Sequence, residues 1–359
     1  MEQTTSRLLI ARYYPTEPEK ILRLNNDRLF LSPPPIIMLP TTSLSPVRGI
    51  ALLLLSQLLL VAMDATAKHL SQTFPVLLLV WARYTVHCAL MVVFFLPSQG
   101  RALFATKQLG VQIIRALLLL ATSACGLIAL RVLPLAETAG LAFVSPLLAT
   151  ILAGPWLGEK VGRAGWFAIF LGALGALLIS HPGGHLPFGA ILLVLASALS
   201  FSIYQILTRQ LSRTESTSTM LFYTALGGAV CMNLALPWFW GGPVPSWQQA
   251  LQIASLGIYG GVGHLLVIQA FRNAPVSTLT PFMYVQLIWA TLLGWLFFGH
   301  FPDSLSITGM VVIVASGLLL SYARGIFQSS ERVVNHHAAD RTSALPRTQD
   351  ALENTGSNP

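Results

Sequence analysis

The stretch that decides the fold is PVLLLVWARYTVHCALMVVFFLP, which runs from Pro75 to Pro97. It is long and apolar enough to form a helix across a bilayer, since about 20 residues span roughly 30 Å of hydrocarbon. Two residues near its middle, Arg83 and His87, would be costly against lipid. Their role depends on whether the stretch stands alone or is one span of many.

The composition indicates many spans. Of the 359 residues, 54% are hydrophobic and only 9% are charged, whereas about a quarter of the residues in a soluble domain are charged. The chain therefore has too little polar surface for a water-soluble protein of this length. The sequence predicts an integral membrane protein that is surrounded by a lipid bilayer.

Neither the basic residues nor the cysteines indicate a binding partner besides the lipid bilayer. The formal net charge of +8 comes from residues scattered through short loops and both tails, which favours orientation in a membrane over nucleic-acid binding. Cys88, Cys125 and Cys231 lie in separate apolar segments, and none belongs to a CxxC or CxxH cluster. The sequence predicts no nucleic-acid partner, no metal site and no cofactor.

Short polar joins divide the middle of the chain into ten predicted helices. Residues 1–47 are predicted to be a disordered cytoplasmic extension, with Met38 as an alternative start, and residues 323–359 a disordered cytoplasmic tail. Pro146 predicts a kink in the fourth span. The approximate spans are 49–67, 75–96, 109–130, 135–156, 164–180, 188–208, 218–239, 250–270, 275–298 and 305–322.

Ten spans place both termini on one side of the membrane, and the loop charges predict which side. Arginine and lysine are concentrated in the loops on the side of the termini, whereas the opposite loops hold only Lys68 and Arg131. The positive-inside rule therefore predicts that both termini are cytoplasmic.

The chain also repeats itself at an offset of about 140 residues, at which Lys68 meets Arg209. Each repeat, 48–182 and 183–322, holds five spans, so the two repeats cross the membrane in opposite senses. Inverted repeats are typical of secondary transporters, whose site lies between the halves near the midplane. The predicted fold is all-α, an integral membrane protein of ten transmembrane helices in two inverted five-helix repeats. Further matches are Pro134 with Pro275, Gly158 with Gly299 and Ser180 with Ser321.

With these features the chain resembles the EamA-type branch of the drug/metabolite transporter superfamily. The resemblance rests on LPLAETAGLAFVSPLLATILAGPWLGEKV after the third span, and on MDATAKHL, VWARYTV, IIRALLLL and PFMYVQLIWATLLGWLFFGHFPD elsewhere. It implies a multi-pass protein of the bacterial inner membrane that carries a small metabolite, because members move amino acids, vitamins, metallophores and S-adenosylmethionine. His300 departs from the family pattern, in which an acid matching Glu159 is often found.

Arg83 and His87 are the first candidate site residues. At 1.5 Å per residue, Arg83 lies about 12 Å below the outer end of its helix, so it is predicted to face the bundle interior. His87 lies four residues further on and points the same way. Together they would hold a substrate carboxylate or phosphate. Alternatively, Arg83 forms a structural ion pair with Asp64 or Glu137.

Each of the other charged candidates has two interpretations. Arg115 lies about 9 Å from the inner end of its helix, so it either snorkels to the interface or turns inward to join Arg83. Asp64 either pairs with Lys68 four residues away or serves as a gating or coupling carboxylate. Glu137 begins the fourth span, where it either caps the helix or takes part in coupling.

Three uncharged or weakly basic candidates lie in the second repeat. His264 is predicted to lie mid-membrane beside several glycines, which allow a ligand or another helix to approach closely. Tyr284 and Gln286 are about 200° apart around their helix, so at most one of them is predicted to face a cavity. Alternatively, one packs against a helix and the other anchors at the membrane interface. A lining of this kind would suit a small planar or zwitterionic substrate.

These features favour a secondary active transporter over an enzyme. The sequence has no P-loop and no catalytic cluster such as HExxH or GxSxG. The resemblance implies an exporter of an amino-acid-like or opine-type metallophore compound bearing a carboxylate. The alternatives are an importer of a vitamin or cofactor such as riboflavin or S-adenosylmethionine, and a membrane-embedded enzyme or scaffold. A coupling ion and a second copy of the chain stay open as further partners.

Overall fold

The computed structural model describes residues 45–322 with four short gaps. Ten helices in this part are long and apolar enough to cross a membrane, and each coincides with one predicted span. The predictions for the tails concern residues 1–44 and 323–359, which lie outside the described residues. The first helix already begins at Pro46, slightly before the predicted end of the N-terminal extension. The gaps are 158–160, 181–185, 213 and 275.

The spans are numbered α1 to α10 in chain order, and two of them consist of two segments each. A 3₁₀ turn, Gly100–Phe104, follows α2, and the described residues contain no strand. The helices are α1 (Pro46–Leu70), α2 (Val76–Gln99), α3 (Leu109–Val132), α4 (Leu135–Ala142 and Ser145–Leu157), α5 (Arg163–Ser180), α6 (Phe188–Leu211), α7 (Thr217–Phe239), α8 (Trp247–Asn273), α9 (Val276–Met283 and Val285–Phe298) and α10 (Ser304–Tyr322).

The helix ends lie where the sequence supplies caps. Ser246 and Gln249 form a reciprocal capping box at the start of α8. The side chain of Ser216 accepts a hydrogen bond from the backbone N–H of Thr219 at the start of α7. α9 ends at Gly299, whose φ of 66° is left-handed and is adopted by glycine without strain.

α4 and α9 are both broken, at equivalent positions of the repeat. α4 breaks at Phe143 and Val144, just before Pro146, because proline has no N–H to donate back to the carbonyl of Ala142. The predicted kink is therefore a full break. α9 breaks at Tyr284, which is the counterpart of Phe143 at the repeat offset. The rings of these two residues pack with centroids 5.1 Å apart, so the two breaks meet between the halves.

The third helix of each half packs against the first two helices of the other half. α8 packs most extensively on α1 and also on α2, and α3 packs in the same way on α6 and α7. At the repeat offset α3 corresponds to α8, while α1 and α2 correspond to α6 and α7. The prediction of ten helices in two inverted five-helix repeats is confirmed, and the halves are interlocked. Two equivalent interfaces result, α8 on α1 and α2, and α3 on α6 and α7.

Candidate functional site

Arg83 and His87 lie on the face of α2 that packs against the glycine-rich part of α8. A methyl group built on Gly260 would lie 3.6 Å from Nε of Arg83. One built on Gly261 would lie 3.2 Å from Cδ2 of His87. The glycines of α8 therefore leave the room that the two polar side chains occupy, and both side chains point toward another helix.

His264 extends this pair from α8. Its ring lies parallel to that of His87, with centroids 6.4 Å apart and an interplanar angle of 13°. His87 is 9% exposed, and Arg83 and His264 are half-buried. The structure therefore brings together three residues that were singled out separately on two helices of different halves.

Asp64 of α1 adds a negative charge at the same place. It lies near enough to Arg83 for their charges to interact, but these two described side chains form no salt bridge. The structural ion pair predicted between them is therefore not formed. With a guanidinium on one side and a carboxylate on the other, the space between α1, α2 and α8 offers complementary charges to one small molecule.

Four of the candidate side chains have the same hydrogen-bonding property, namely those of Arg83, His87, His264 and Asp64. None of the four makes a hydrogen bond to another described residue. None of their nitrogen or oxygen atoms is among the described side-chain atoms that are both fully buried and unpaired, so these polar atoms are open to water. The four side chains are therefore available to bind a ligand in place of water. We refer to them as the α1–α2–α8 site.

Arg115 of α3 has the opposite environment. It is 1% exposed, and its guanidinium stacks on the ring of Tyr204 and donates to five oxygens, all of them uncharged. The interpretation that Arg115 snorkels to the interface is therefore wrong, because each of its nitrogens is bonded inside the bundle. It lies in the interface of α3 with α6 and α7, apart from Arg83. The five acceptors are Gln112 Oε1 (2.7 Å), Thr208 Oγ1 (2.9 Å), Thr224 Oγ1 (3.1 Å), Tyr204 OH (3.2 Å) and Met220 O (3.4 Å).

Lys68 forms hydrogen bonds with backbone oxygens at the C-terminal end of α3. Its amino group donates to the backbone oxygens of Leu130 at 2.8 Å and Leu133 at 2.6 Å, and it lies 5.5 Å from the ring centroid of Phe298. The predicted surface pair of Lys68 with Asp64 is therefore wrong. The ammonium instead satisfies carbonyl groups that the helix end leaves without donors.

Glu137 is paired with a residue of the other half. Its Oε1 lies 2.9 Å from Nε2 of His300, and its Oε2 is buried without a hydrogen-bond partner among the described residues. The ion pair considered between Glu137 and Arg83 is therefore not formed, but Glu137 does lie in the first turn of α4, where an acid complements the positive helix N-terminus. In the sequence, His300, the partner of Glu137, stood out because it departs from the family pattern.

Tyr284 forms the break in α9, and Gln286 lies just after it. The ring of Tyr284 packs on Phe143, whereas Gln286 is half-buried and makes no hydrogen bond to a described residue. Gln57 of α1, which was not singled out from the sequence, donates to the Met283 oxygen at 3.5 Å. Phe143 was also missed, although the repeat offset identifies it as the counterpart of Tyr284.

The part of the chain that contains both halves is similar to known transporters over nearly their whole length. It is 28% identical over 280 residues to the riboflavin transporter of Vibrio cholerae, covering 76% of this chain and 92% of that protein. It is 26% identical over 277 residues to the pseudopaline exporter of Pseudomonas aeruginosa, covering 76% and 95%. It is also 26% identical over 278 residues to the S-adenosylmethionine uptake transporter of Rickettsia bellii, covering 77% and 94%.

The fold also matches a solved structure, and the two repeats both match one family model. A crystal structure of a protein with 21% sequence identity superimposes with a TM-score of 0.56, covering 75% of this chain and 95% of that chain. The profile of the EamA-like transporter family matches twice, at residues 47–181 and 188–322, which are the two five-helix halves. The chain therefore belongs to the EamA-like transporter family of the drug/metabolite transporter superfamily.

Proposed function

We propose that the protein is a secondary active transporter of the bacterial inner membrane that moves a small polar organic metabolite by alternating access. Both termini would lie in the cytoplasm, as the loop charges predict. The family membership and the transporter relatives support transport over enzymatic activity. The observation that carries the proposal is the guanidinium of Arg83, which lies between helices of the two halves and makes no hydrogen bond to a described residue.

The chemistry of the α1–α2–α8 site favours a substrate that bears a carboxylate. A planar guanidinium binds carboxylates through two parallel hydrogen bonds, and the imidazoles of His87 and His264 can add a donor or an acceptor beside it. Asp64 would attract a protonated amine of the same molecule. An amino-acid-like or opine-type metallophore compound carries both groups.

Export is the preferred direction, and it is supported by the relative named as a pseudopaline exporter. The relatives named as riboflavin and S-adenosylmethionine transporters support a second candidate, which is uptake of a vitamin or cofactor. The two directions predict opposite changes in the substrate concentrations of cells and medium, so one experiment separates them.

The paired breaks in α4 and α9 suit alternating access. Phe143 and Tyr284 are equivalent at the repeat offset and contact each other, so the segments on either side of the breaks can tilt in opposite senses about this contact. Interrupted helices near the midplane are a common feature of transporters built from inverted repeats. We propose that rocking about these breaks exposes the α1–α2–α8 site to one side at a time.

The test is comparative metabolomics of cells and medium in a bacterial host that expresses the wild type, Arg83→Ala or an empty vector. Export would lower a metabolite in cells and raise it in medium, and uptake would do the reverse. Arg83→Ala should abolish the difference at unchanged membrane insertion. Arg83→Lys, which keeps the charge without the planar fork, should retain part of it.

Arg131→Ala is the matched control, because Arg131 is an exposed arginine at the end of α3. It should transport like the wild type. Wild-type flux in Arg83→Ala would refute the assigned site. A host in which no metabolite changes on expression of the wild type would contradict transport itself.

A further inference from the structure

The contact between Glu137 and His300 joins the two halves of the protein. Glu137 lies in the first turn of α4 in the first half. His300 follows α9 in the second half, and its Nε2 is 2.9 Å from the carboxylate. Both residues lie at the end of the bundle predicted to face outward. A contact here therefore ties the halves together on one side of the membrane.

The two partners differ in their access to water. The side chain of Glu137 is 4% exposed, whereas that of His300 is 46% exposed. The second carboxylate oxygen of Glu137 is buried without a hydrogen-bond partner among the described residues. A buried carboxylate with one unsatisfied oxygen is costly in its charged form unless a cation faces it or a proton is bound. The exposed imidazole provides a route for that proton.

The charged groups near Glu137 and His300 determine how a change in protonation affects the contact between these two residues. Lys68 of α1 lies near enough for its charge to interact with that of Glu137, but its amino group is bonded to backbone oxygens of α3. Asp303 at the start of α10 accepts from the N–H of Ser306, and Arg131 at the end of α3 is exposed. The second segment of α9 carries no titratable residue. Among the described side chains, the imidazole of His300 is therefore the group that bonds the carboxylate of Glu137.

We infer that Glu137 and His300 form a proton-operated latch, defined by these two residues, which closes the end of the bundle predicted to face outward. The inference rests on the proposed function and names the proton as the coupling ion. With a single proton between them, the imidazolium and the carboxylate attract each other and hold the halves together. Loss of this proton to the outer water leaves a neutral imidazole beside the buried carboxylate, which removes this attraction, and the halves separate. A proton taken up from the outer water restores the attraction when the latch closes again.

The test measures the distance across this end in the full-length protein in proteoliposomes. Spin labels are placed on cysteines introduced at the exposed positions Arg131 and Phe301, after replacement of the native cysteines. Double electron–electron resonance should show a short-distance population at about pH 5 and a longer one at about pH 8. For linkage to one proton, the ratio of the two populations should change by up to about tenfold per pH unit.

Glu137→Gln and His300→Gln should each make the distance distribution independent of pH. Glu215→Gln is the matched control, because Glu215 bonds Thr106 and the backbone N–H of Lys107 at the opposite end. It should keep the wild-type response. His300 is half exposed, so its replacement keeps the test available if Glu137→Gln fails to fold. A pH-independent wild type, or a pH response that survives in His300→Gln, would overturn the latch.

This measurement needs no substrate, so its failure is distinct from failure of the proposed function. A pH-independent wild type that still loses flux on Arg83→Ala would remove the latch and leave the transport site standing. An intact pH response in a protein whose expression changes no metabolite would keep the latch and remove the proposed transport.

Discussion

Two interfaces that are equivalent in the repeat have opposite polar interiors. In the interface of α3 with α6 and α7, Arg115 is buried and bonded to five uncharged oxygens. In the interface of α8 with α1 and α2, Arg83 makes no hydrogen bond to a described residue. A satisfied arginine holds helices together, whereas an unsatisfied one is available to a ligand. This difference supports a structural role for the first interface and the proposed binding role for the second.

The repeat offset shows how the two interfaces differ residue by residue. The counterpart of Arg83 is Thr224, which accepts a hydrogen bond from Arg115 at 3.1 Å. The counterpart of His264 is Ser123, whose hydroxyl bonds the hydroxyl of Tyr84 at 3.0 Å. At these two positions, a long titratable side chain in one interface thus matches a short, hydrogen-bonded hydroxyl in the other. An inverted repeat with two similar packing surfaces therefore needs to carry only one site.

The largest expected effect is on stability, and it tests whether the interface of α3 with α6 and α7 depends on Arg115. Arg115→Ala removes five hydrogen bonds from a buried guanidinium and leaves a cavity, so we expect a loss of about 3–5 kcal/mol in the free energy of unfolding. Arg83→Ala should change the same quantity by less than about 1 kcal/mol. Equilibrium unfolding in mixed micelles measures both.

Arg115→Lys provides the control for charge, because it keeps the cation without the guanidinium geometry and should lie between the wild type and Arg115→Ala. If Arg115→Ala and Arg83→Ala were equally stable, the contrast between the two interfaces would be wrong.

Glycine substitutions should separate packing from transport. A methyl group on Gly227 of α7 would lie 2.5 Å from Cβ of Ala116 in the Arg115 interface, so Gly227→Ala should cost about 1–3 kcal/mol. A methyl group on Gly260 would meet only flexible side chains, Met63 Sδ at 3.3 Å and Arg83 Nε at 3.6 Å. Gly260→Ala should thus be stable to within about 1 kcal/mol.

Gly260→Ala should also lower transport by about tenfold, because the added methyl group would lie beside the guanidinium that we propose binds the substrate. The measurements are the unfolding free energy and the flux of the metabolite identified by metabolomics. A stable Gly227→Ala together with full transport by Gly260→Ala would contradict the division of roles.

Much of the fold could be predicted because it depends on local pattern. The ten apolar runs determine the ten helices, and the constant offset with an odd number of spans determines the inversion. The i, i+4 spacing also placed Arg83 and His87 on one face of α2, which is the face that meets α8. These properties need only the geometry of a single helix or the comparison of the chain with itself.

Partners across the bundle could not be predicted in this way. The snorkelling of Arg115 was argued from its distance to the end of its own helix, which ignores acceptors such as Thr208 and Tyr204 about 90 positions away. Lys68 was assigned to a neighbour on the same helix, although the carbonyls of α3 lie closer. The spacing of residues within one helix indicates which way a side chain points. Only the packing between helices determines which groups that side chain contacts.

The smallest effect isolates one bond of the Arg115 interface. Thr224 donates to the oxygen of Met220 at 2.8 Å and also accepts from Arg115, so Thr224→Val should cost about 1 kcal/mol. Thr66 donates in the same way to the oxygen of Ala62 at 2.8 Å but has no hydrogen bond from an arginine, so Thr66→Val should cost less than about 0.5 kcal/mol. In an Arg115→Ala background the cost of Thr224→Val should fall to that of Thr66→Val, because the coupled partner is gone. Additive effects in this double-mutant cycle would show that the Arg115 interface does not depend on the bond to Thr224.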